Sequence, residues 1–245
     1  MKRLTFILIL LVATTIMAQD VAPDSSEWVV GRYMSLMNYE SLPRDKMLLI
    51  ESVAVPRYSG GDTTIVRRWY TGTSSCRIEV WQKGSLIEGW HNYEHKIFRK
   101  YDTKKKQWID ASEIHYYDHT VGYDFRGPLY RRATNGTSMA YGGIATFEGH
   151  SVYKVLATAP GMFDREYYFE QQSGLLFLIL EKETSYGGER DGGEGRLEWR
   201  SIEEYLPVGE MLMVSKETYQ QEGLRTTTTH TPLLTDTNLD IFKKD

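Results

Sequence analysis

Two pairs of histidines are the side chains whose type and spacing first suggest chemistry in this sequence. His91 and His95 are four residues apart, as are His115 and His119, and imidazole is a common ligand of zinc and other transition metals. The sequence around both pairs has the pattern of strands and turns, in which residues four apart lie about 13 Å apart along an extended chain. We therefore expect no local chelate and predict no metal site, while a site formed across strands stays open.

Nucleophilic and phosphate-binding motifs give no stronger candidate. The sequence contains no Gly-x-Ser-x-Gly elbow, no P-loop and no His-Glu-x-x-His helix. Cys76 lies in a predicted strand without an evident base, so we expect it to be a small buried apolar side chain. The glycine cluster at residues 186–193 carries too many charges to approach a phosphate closely. No enzyme and no cofactor are predicted; a zinc enzyme that uses the histidines is the alternative left open.

The N-terminus has the form of a cleavable secretory signal peptide. Two basic residues precede an apolar run at residues 4–17, and Ala18 supplies the small residue expected before a cleavage point. This run is shorter than the roughly 20 residues that a membrane-spanning helix needs, and no cysteine follows it as a site for lipid attachment. The sequence predicts a signal peptide at residues 1–18 and a single exported domain, without a lipid anchor, at residues 19–245.

The charge and the cysteine content restrict the partners and the means of stabilisation. The formal net charge is −4, which argues against nucleic acid and against anionic membrane surfaces as main partners. A chain with one cysteine cannot form an internal disulfide. The exported domain must therefore be held together by an ordinary apolar core, for which its length is sufficient.

The elements that would position any site are one helix followed by many strands. Asp24 and Glu27 have the spacing of a capping box, and Val29, Tyr33 and Leu36 follow at helical spacing. From Met47 onward apolar residues recur at every second position, which is the spacing of β-strands. Strands are expected from residue 47, at 65–70, 76–81, 86–90, 96–101, 151–157, 166–170, 175–182, 197–205, 211–219 and 224–231, with a short helix near Leu129. Turn signals between them indicate a large, curved antiparallel sheet.

The apolar residues of the strands raise the question of what they pack against. The run at residues 175–180 is apolar at both its odd and its even positions, so both faces of this strand should be covered by other parts of the protein. A single helix covers only part of one face of so wide a sheet. Either the sheet curves around a filled core or it leaves an apolar hollow that binds a ligand, and the residues leave both open.

Five segments, taken in order, resemble the LolA/LolB-like superfamily of periplasmic lipoprotein carriers. Residues 147–155 are similar to the family's G-x-x-x-Y-x-L strand, and residues 167–170 with 173–176 are similar to its Tyr-rich hairpin. The other three segments are residues 124–129 (Asp-Phe-Arg-Gly-Pro-Leu), 205–210 and 236–242. The resemblance extends over residues 28–242. It implies a mainly β, α+β fold, in which a strongly curved antiparallel half-barrel has its concave face covered by an N-terminal helix and a short central helical segment.

The same resemblance implies a function. The protein would be a periplasmic, monomeric carrier that shields acyl chains of lipoproteins or other lipids on the way to the outer membrane, with delivery proteins at the inner and outer membranes. A sensor or interaction domain of the same fold, also non-enzymatic, is the alternative. The residues expected to line the apolar cavity are Trp69, Ile78, Val80, Trp90, Tyr153, Val155, Phe169 and Leu178.

Overall fold

The first described element is a helix with polar residues at both ends. The computed structural model describes residues 25–57, 60–72, 75–120, 123–127, 129–130, 136–159, 163–182, 197–221 and 223–242. Helix α1 comprises Ser26–Met37. The hydroxyl of Ser25 accepts a hydrogen bond from the Trp28 backbone N–H at 3.2 Å, so Ser25 is the N-cap. The predicted cap, Asp24, lies outside the described residues. Asn38 ends the helix in the left-handed conformation (φ 49°), which asparagine tolerates better than most residues.

Thirteen strands form one sheet in the described part of the chain. The elements are β1 (Lys46–Pro56), β2 (Thr64–Thr71), β3 (Cys76–Gln82), β4 (Ser85–Tyr93), β5 (Ile97–Asp102), β6 (Gln107–Asp110), α2 (Glu113–Thr120), β7 (Ser138–Phe147), β8 (His150–Ala159), β9 (Phe163–Glu170), β10 (Leu176–Lys182), β11 (Leu197–Val208), β12 (Met211–Gln221) and β13 (Leu224–Asp236). Short 3-10 helices at Tyr39–Ser41 and Leu239–Phe242 precede β1 and follow β13.

The sheet consists of two antiparallel meanders that meet at β1 and β13. Its order is β6-β5-β4-β3-β2-β1-β13-β12-β11-β10-β9-β8-β7, so every strand pairs with its sequence neighbours except at this seam and at the two edges, β6 and β7. All 11 residues of β1 pair with β13, from Lys46 with Asp236 to Pro56 with Thr226. The unclosed, helix-covered antiparallel sheet confirms the predicted half-barrel α+β fold.

The main core lies where α1 packs on the concave face of β7–β12. Val30 and Phe169 are fully buried there, and the rings of Tyr33 and Phe169 are 5.4 Å apart. Full burial of one such side chain contributes about 1.5–3 kcal/mol. The stripe predicted for α1 is therefore correct for Val29 and Tyr33, which hold the helix on the sheet, but wrong for Leu36, which is 41% exposed.

The outer face of the sheet has a smaller apolar cluster. Leu178 is buried there with Val152 and Tyr168, whereas Leu176 of the same strand belongs to the core under α1. A register shift between Leu176 and Leu178 interrupts the simple alternation of β10. Both faces of β10 are thus buried, as its run of apolar residues predicts.

Four parts of the chain differ from the sequence-based expectation. Residues 113–120 form helix α2 rather than strand and turn, and the chain at Leu129 forms a turn instead of a short helix. Strands β6 and β7 were not predicted, since β6 is only four residues long and β7 has Gly142-Gly143 at its centre. No helix of the described residues is both long and apolar enough to cross a membrane.

Candidate functional site

A cavity of about 540 Å³ lies between the concave face, α1 and the segment at residues 123–127 and 129–130. Its volume falls within the range of roughly 300–1,000 Å³ typical of small-molecule sites. Next to α1 its wall is apolar and aromatic, formed by Tyr33, Tyr39, Ile50, Phe125, Leu129, Tyr167, Leu176, Ile179, Ile202, Met213 and Val214. This part of the cavity can accept an apolar group.

The segment at residues 123–127 and 129–130 is held across the concave face by aromatic and charged contacts. The ring of Phe125 lies 5.5 Å from that of Tyr39 and 4.7 Å from that of Tyr70. Arg126 donates two hydrogen bonds to the carboxylate of Asp124, at 2.9 and 3.0 Å. Its guanidinium also lies 4.1 Å from the ring of Tyr130, within cation–π range. The segment covers part of the sheet and separates the first cavity from a second.

The second cavity has a volume of about 310 Å³ and lies between α2 and β2–β4. Ile78, Cys76 and Tyr116 contribute to its wall. Burial raises the pKa of the Tyr116 hydroxyl well above its usual range, as does its contact with Cys76. Cys76 is therefore a half-buried wall residue rather than an exposed thiol.

The far side of the first cavity is polar, in contrast to the purely apolar hollow expected from the sequence. Seven adjacent strands each contribute one polar side chain to a row across the concave face, which we call the polar belt. In strand order from β2 to β9, these are Arg68, Ser52, His230, Glu217, Arg200, Glu181 and Arg165. All except Ser52 line the cavity. The site is thus amphipathic, with an apolar side under α1 and a charged side on the sheet.

Ion pairs hold the β9–β12 part of the polar belt. Arg165 donates two hydrogen bonds to Glu181, from Nε at 2.9 Å and from Nη2 at 3.0 Å. Glu217 lies between Arg200 and His230, with its oxygens 3.7 Å from Arg200 Nη1 and 3.5 Å from His230 Nε2. Each of these carboxylates therefore has a cationic or protonatable partner within the belt.

Glu217 is held ionised by its surroundings. Burial alone would raise the pKa of its carboxyl group, but Arg200, His230 and Arg68 together outweigh burial and lower the pKa to about 2. The opposing contributions identify Glu217 as a charge that the belt stabilises.

Arg68 and Ser52 form the opposite end of the polar belt, at the seam between the two meanders. Arg68 Nη2 donates to Ser52 Oγ at 2.5 Å, and Ser52 Oγ lies 2.7 Å from His230 Nδ1. The same Arg68 nitrogen is 3.4 Å from His230 Nδ1. His230 therefore connects Arg68 on β2 to Glu217 on β12 through both of its ring nitrogens.

The residues predicted to line an apolar cavity fall into three groups. Ile78, Val80 and Trp90 lie on the concave face of β3 and β4, where Ile78 and Trp90 pack against Tyr116 of α2. Tyr153, Val155 and Phe169 lie in or against the core under α1. Trp69 and Leu178 lie on the outer face, because Arg68 and Tyr70 on one strand, and Ile179 on the other, face inward. Of all eight, only Ile78 contributes to the wall of either cavity described above.

The histidines that first suggested a metal site do not form one within the described part of the chain. His115 and His119 lie on one face of α2 with their rings 4.6 Å apart, so the prediction that they are far apart was wrong. However, Lys100 Nζ lies 3.5 Å from His115 Nε2, and His119 stacks on Trp90 at 4.8 Å. No group of three or more His, Cys, Asp or Glu residues is placed to hold a metal among the described residues.

Sequence reasoning missed the polar belt entirely. A signal was present, since Arg165, Arg200 and Glu217 each interrupt a strand at the parity of buried residues. Each charge alone is typical of a solvated sheet face. Only the register between seven strands brings them into one row.

The fold has counterparts among solved structures. No protein-family model and no curated protein matches the sequence. A LolA superfamily protein from Nitrosomonas europaea is similar with a TM-score of 0.59 and 10% identity, over 91% of this chain and 99% of that one. A DUF1329 family protein from Desulfovibrio piger has a TM-score of 0.57 and 10% identity, over 90% and 98%. A putative outer membrane lipoprotein-sorting protein domain from Vibrio parahaemolyticus has a TM-score of 0.52 and 8% identity, over 88% and 98%. At such identities the likeness concerns architecture, and the chain has the LolA-like half-barrel fold that its sequence resembles.

Proposed function

We propose that this chain is an exported, periplasmic carrier that holds an acyl chain of a lipoprotein or another lipid and moves it toward the outer membrane. The observation that carries the proposal is the cavity of about 540 Å³ with an apolar wall under α1. The signal-like N-terminus and the LolA-like fold support it, since one solved counterpart is described as a lipoprotein-sorting domain. The chemistry is non-enzymatic and needs no nucleophile and no cofactor.

The physical demand on such a carrier explains the need for an enclosed cavity. Each methylene transferred from water to an apolar site contributes about 0.8 kcal/mol. An acyl chain of about 15 methylenes therefore gains on the order of 12 kcal/mol, and it cannot cross an aqueous space unshielded. Tyr33, Ile202 and Met213 provide apolar contacts of the kind required. Release would then depend on a receiver with comparable affinity.

Mass spectrometry of the protein purified from a periplasm tests the proposal. The chain would be expressed with its own N-terminus, purified without detergent, and extracted for lipids and acylated peptides. We expect an acylated species at close to one per protein. A protein that carries none, and that also fails to bind a fluorescent fatty acid, would contradict the proposal.

Two neighbouring substitutions on β10 locate the binding site. Ile179 lines the cavity, whereas Leu180 packs in the outer-face cluster. Ile179→Trp should fill part of the cavity and weaken fatty-acid binding by roughly tenfold or more, since overpacking costs about 1–3 kcal/mol. Leu180→Trp is the matched control, and its binding should stay within about twofold of the unchanged protein. Equal effects of the two substitutions would place the ligand elsewhere.

An interaction domain of the same fold is the second candidate, and strand β7 favours it. This edge strand is ten residues long and contains neither a charged residue nor a proline, which are the usual means of blocking unwanted strand pairing. Ile144 on this strand is 61% exposed. An empty cavity, together with a specific periplasmic crosslink from a photoreactive residue at position 146 that the additional substitution Ile144→Lys abolishes, would favour this candidate over the carrier.

A further inference from the structure

The charge of Arg68 is incompletely satisfied by its neighbours. Its Nη2 atom contacts Ser52 Oγ and His230 Nδ1, neither of which carries a negative charge. No carboxylate in the described part of the chain forms an ion pair with it. Its Nε atom is buried and has no hydrogen-bond partner among the described residues. A buried donor without a partner is costly and points to a group that is bound there.

The charges around Arg68 leave this end of the polar belt positive. Glu217 is the nearest acidic member, and it already lies 3.7 Å from Arg200 and 3.5 Å from His230. Glu198, which also lines the cavity, accepts hydrogen bonds from Tyr219 and Gln221. Two guanidinium groups and an imidazole thus surround one carboxylate, and the positive excess lies on the side of Arg68.

Apolar and cationic surfaces meet in the same cavity. Ile50, paired directly with Arg68 across β1 and β2, lines it together with Met213 and Tyr39. A ligand that satisfies both surfaces has an apolar part under α1 and a negative charge at Arg68. The guanidinium fork suits a carboxylate or a phosphate, because two of its N–H groups can donate in parallel to two oxygens.

We infer that Arg68, assisted by Ser52 and His230, binds the anionic head group, a carboxylate or a phosphate, of an amphiphile whose apolar tail lies under α1. This inference rests on the proposed carrier function and specifies its class of ligand. Arg68 is the binding residue, Ser52 is a hydroxyl partner, and His230 positions both by contacting them on one side and Glu217 on the other.

Binding measurements with ligands of one tail and different head groups test the inference. The chain without residues 1–18 would be titrated with myristate, myristyl phosphate, myristyl alcohol and inorganic phosphate. We expect both anionic amphiphiles to bind roughly tenfold to a hundredfold more tightly than the alcohol, as for a charge-assisted hydrogen bond that the alcohol lacks. Inorganic phosphate alone should bind far more weakly than myristyl phosphate. Equal affinity of the two phosphates would overturn the amphiphile assignment.

Adjacent arginines on β2 provide a matched pair of variants. Arg68→Gln should remove most of the preference for the anionic amphiphiles and leave alcohol binding within about twofold. Arg67 lies on the outer face and pairs with Glu51 at 2.8 Å, so Arg67→Gln should change neither. Arg68→Lys keeps the charge and should retain a reduced preference, which covers the case in which Arg68→Gln fails to fold.

The outcomes separate this inference from the carrier proposal. If myristyl alcohol binds as tightly as myristate, and Arg68→Lys and Arg67→Gln behave alike, the head-group assignment is wrong while the carrier function stands. If none of the amphiphiles binds, both fail. A loss of anionic preference confined to the Arg68 variants would support both.

Discussion

Glu217 provides the sharpest test of the polar belt, through the substitution Glu217→Gln. Its side chain is 18% exposed, and its pKa is lowered from 4.5 to about 2 because Arg200, His230 and Arg68 outweigh the effect of burial. At about 1.36 kcal/mol per pKa unit, the ionised carboxylate stabilises the folded protein by about 3 kcal/mol at pH 7. Glutamine retains the shape and loses the charge, so the variant should be less stable by about this amount.

The pH dependence of this difference distinguishes an electrostatic effect from a packing effect. A carboxyl group whose pKa is lower in the folded state stabilises the protein fully above pH 4.5. This contribution is lost as the pH falls toward the folded-state value of about 2. The difference in unfolding free energy between the two proteins should shrink from about 3 kcal/mol at pH 7 to about 1 kcal/mol at pH 3.

Urea unfolding of both proteins at pH 7, 5 and 3 measures this difference. The comparison requires that the dependence of the unfolding free energy on urea concentration is the same for both proteins. Other titrating groups occur in both proteins and cancel in the comparison. Glu51→Gln is the control, because Glu51 pairs with Arg67 on the exposed outer face, where an ion pair contributes at most about 1 kcal/mol. A difference for Glu217→Gln that is the same at pH 7 and pH 3 would refute the argument.

Two further predictions concern the core and a buried histidine. Phe169→Ala removes a fully buried ring packed on Tyr33 and should cost about 3–5 kcal/mol. Calorimetry should show a fall in Tm of roughly 6–20 °C, with a smaller fall for Phe147→Ala in the half-buried outer cluster. Burial, with Arg77 and Arg99, lowers the pKa of His91 from 6.5 to about 4, so the unfolded chain takes up the proton first and stability falls as the pH drops through this range. His91→Phe should flatten the stability profile between pH 6.5 and 4, and an unchanged profile would show that other groups cause the acid sensitivity.

Much of the architecture was predictable from local pattern. Alternation in strands such as β2 and β3, and the turn residues between them, indicated a curved antiparallel sheet. Two turns illustrate why this works, since Lys83-Gly84 and Glu148-Gly149 both have positive φ at each residue, the geometry that favours tight hairpins. The failures were also local. The eight residues of α2 are too few for a helical period to emerge, and their histidines and tyrosines have no strong helical preference.

The site was much less predictable than the fold. The six consecutive apolar residues at 175–180 do not alternate with polar ones, so the sequence does not show which of them face inward. In a regular strand Leu176 and Leu178 would share a face, but the register shift between them places them on opposite faces. Trp69 is a predicted cavity residue, yet its neighbours Arg68 and Tyr70 are the inward residues of β2, because the alternation of this strand does not show which of its two faces is concave. A charged side chain can be buried only if residues on other strands pair with it. Which residues become its partners depends on the register between the strands, and the amino-acid composition does not reveal that register.

The pairing of β1 with β13 is the step in folding that joins the two parts of the polar belt. Ser52 and Arg68 belong to the first meander, whereas His230, Glu217 and Arg200 belong to the second. Each meander can form from contacts between residues that are near in sequence. Pairing β1 with β13 instead closes a loop that contains almost the whole described chain, and the loss of chain entropy makes this step slow. The end of the cavity formed by Arg68, Ser52 and His230 is therefore absent from either half alone. If the proposed carrier function is correct, the chain becomes competent to bind its ligand only once the two meanders have paired, and an incompletely folded chain binds none.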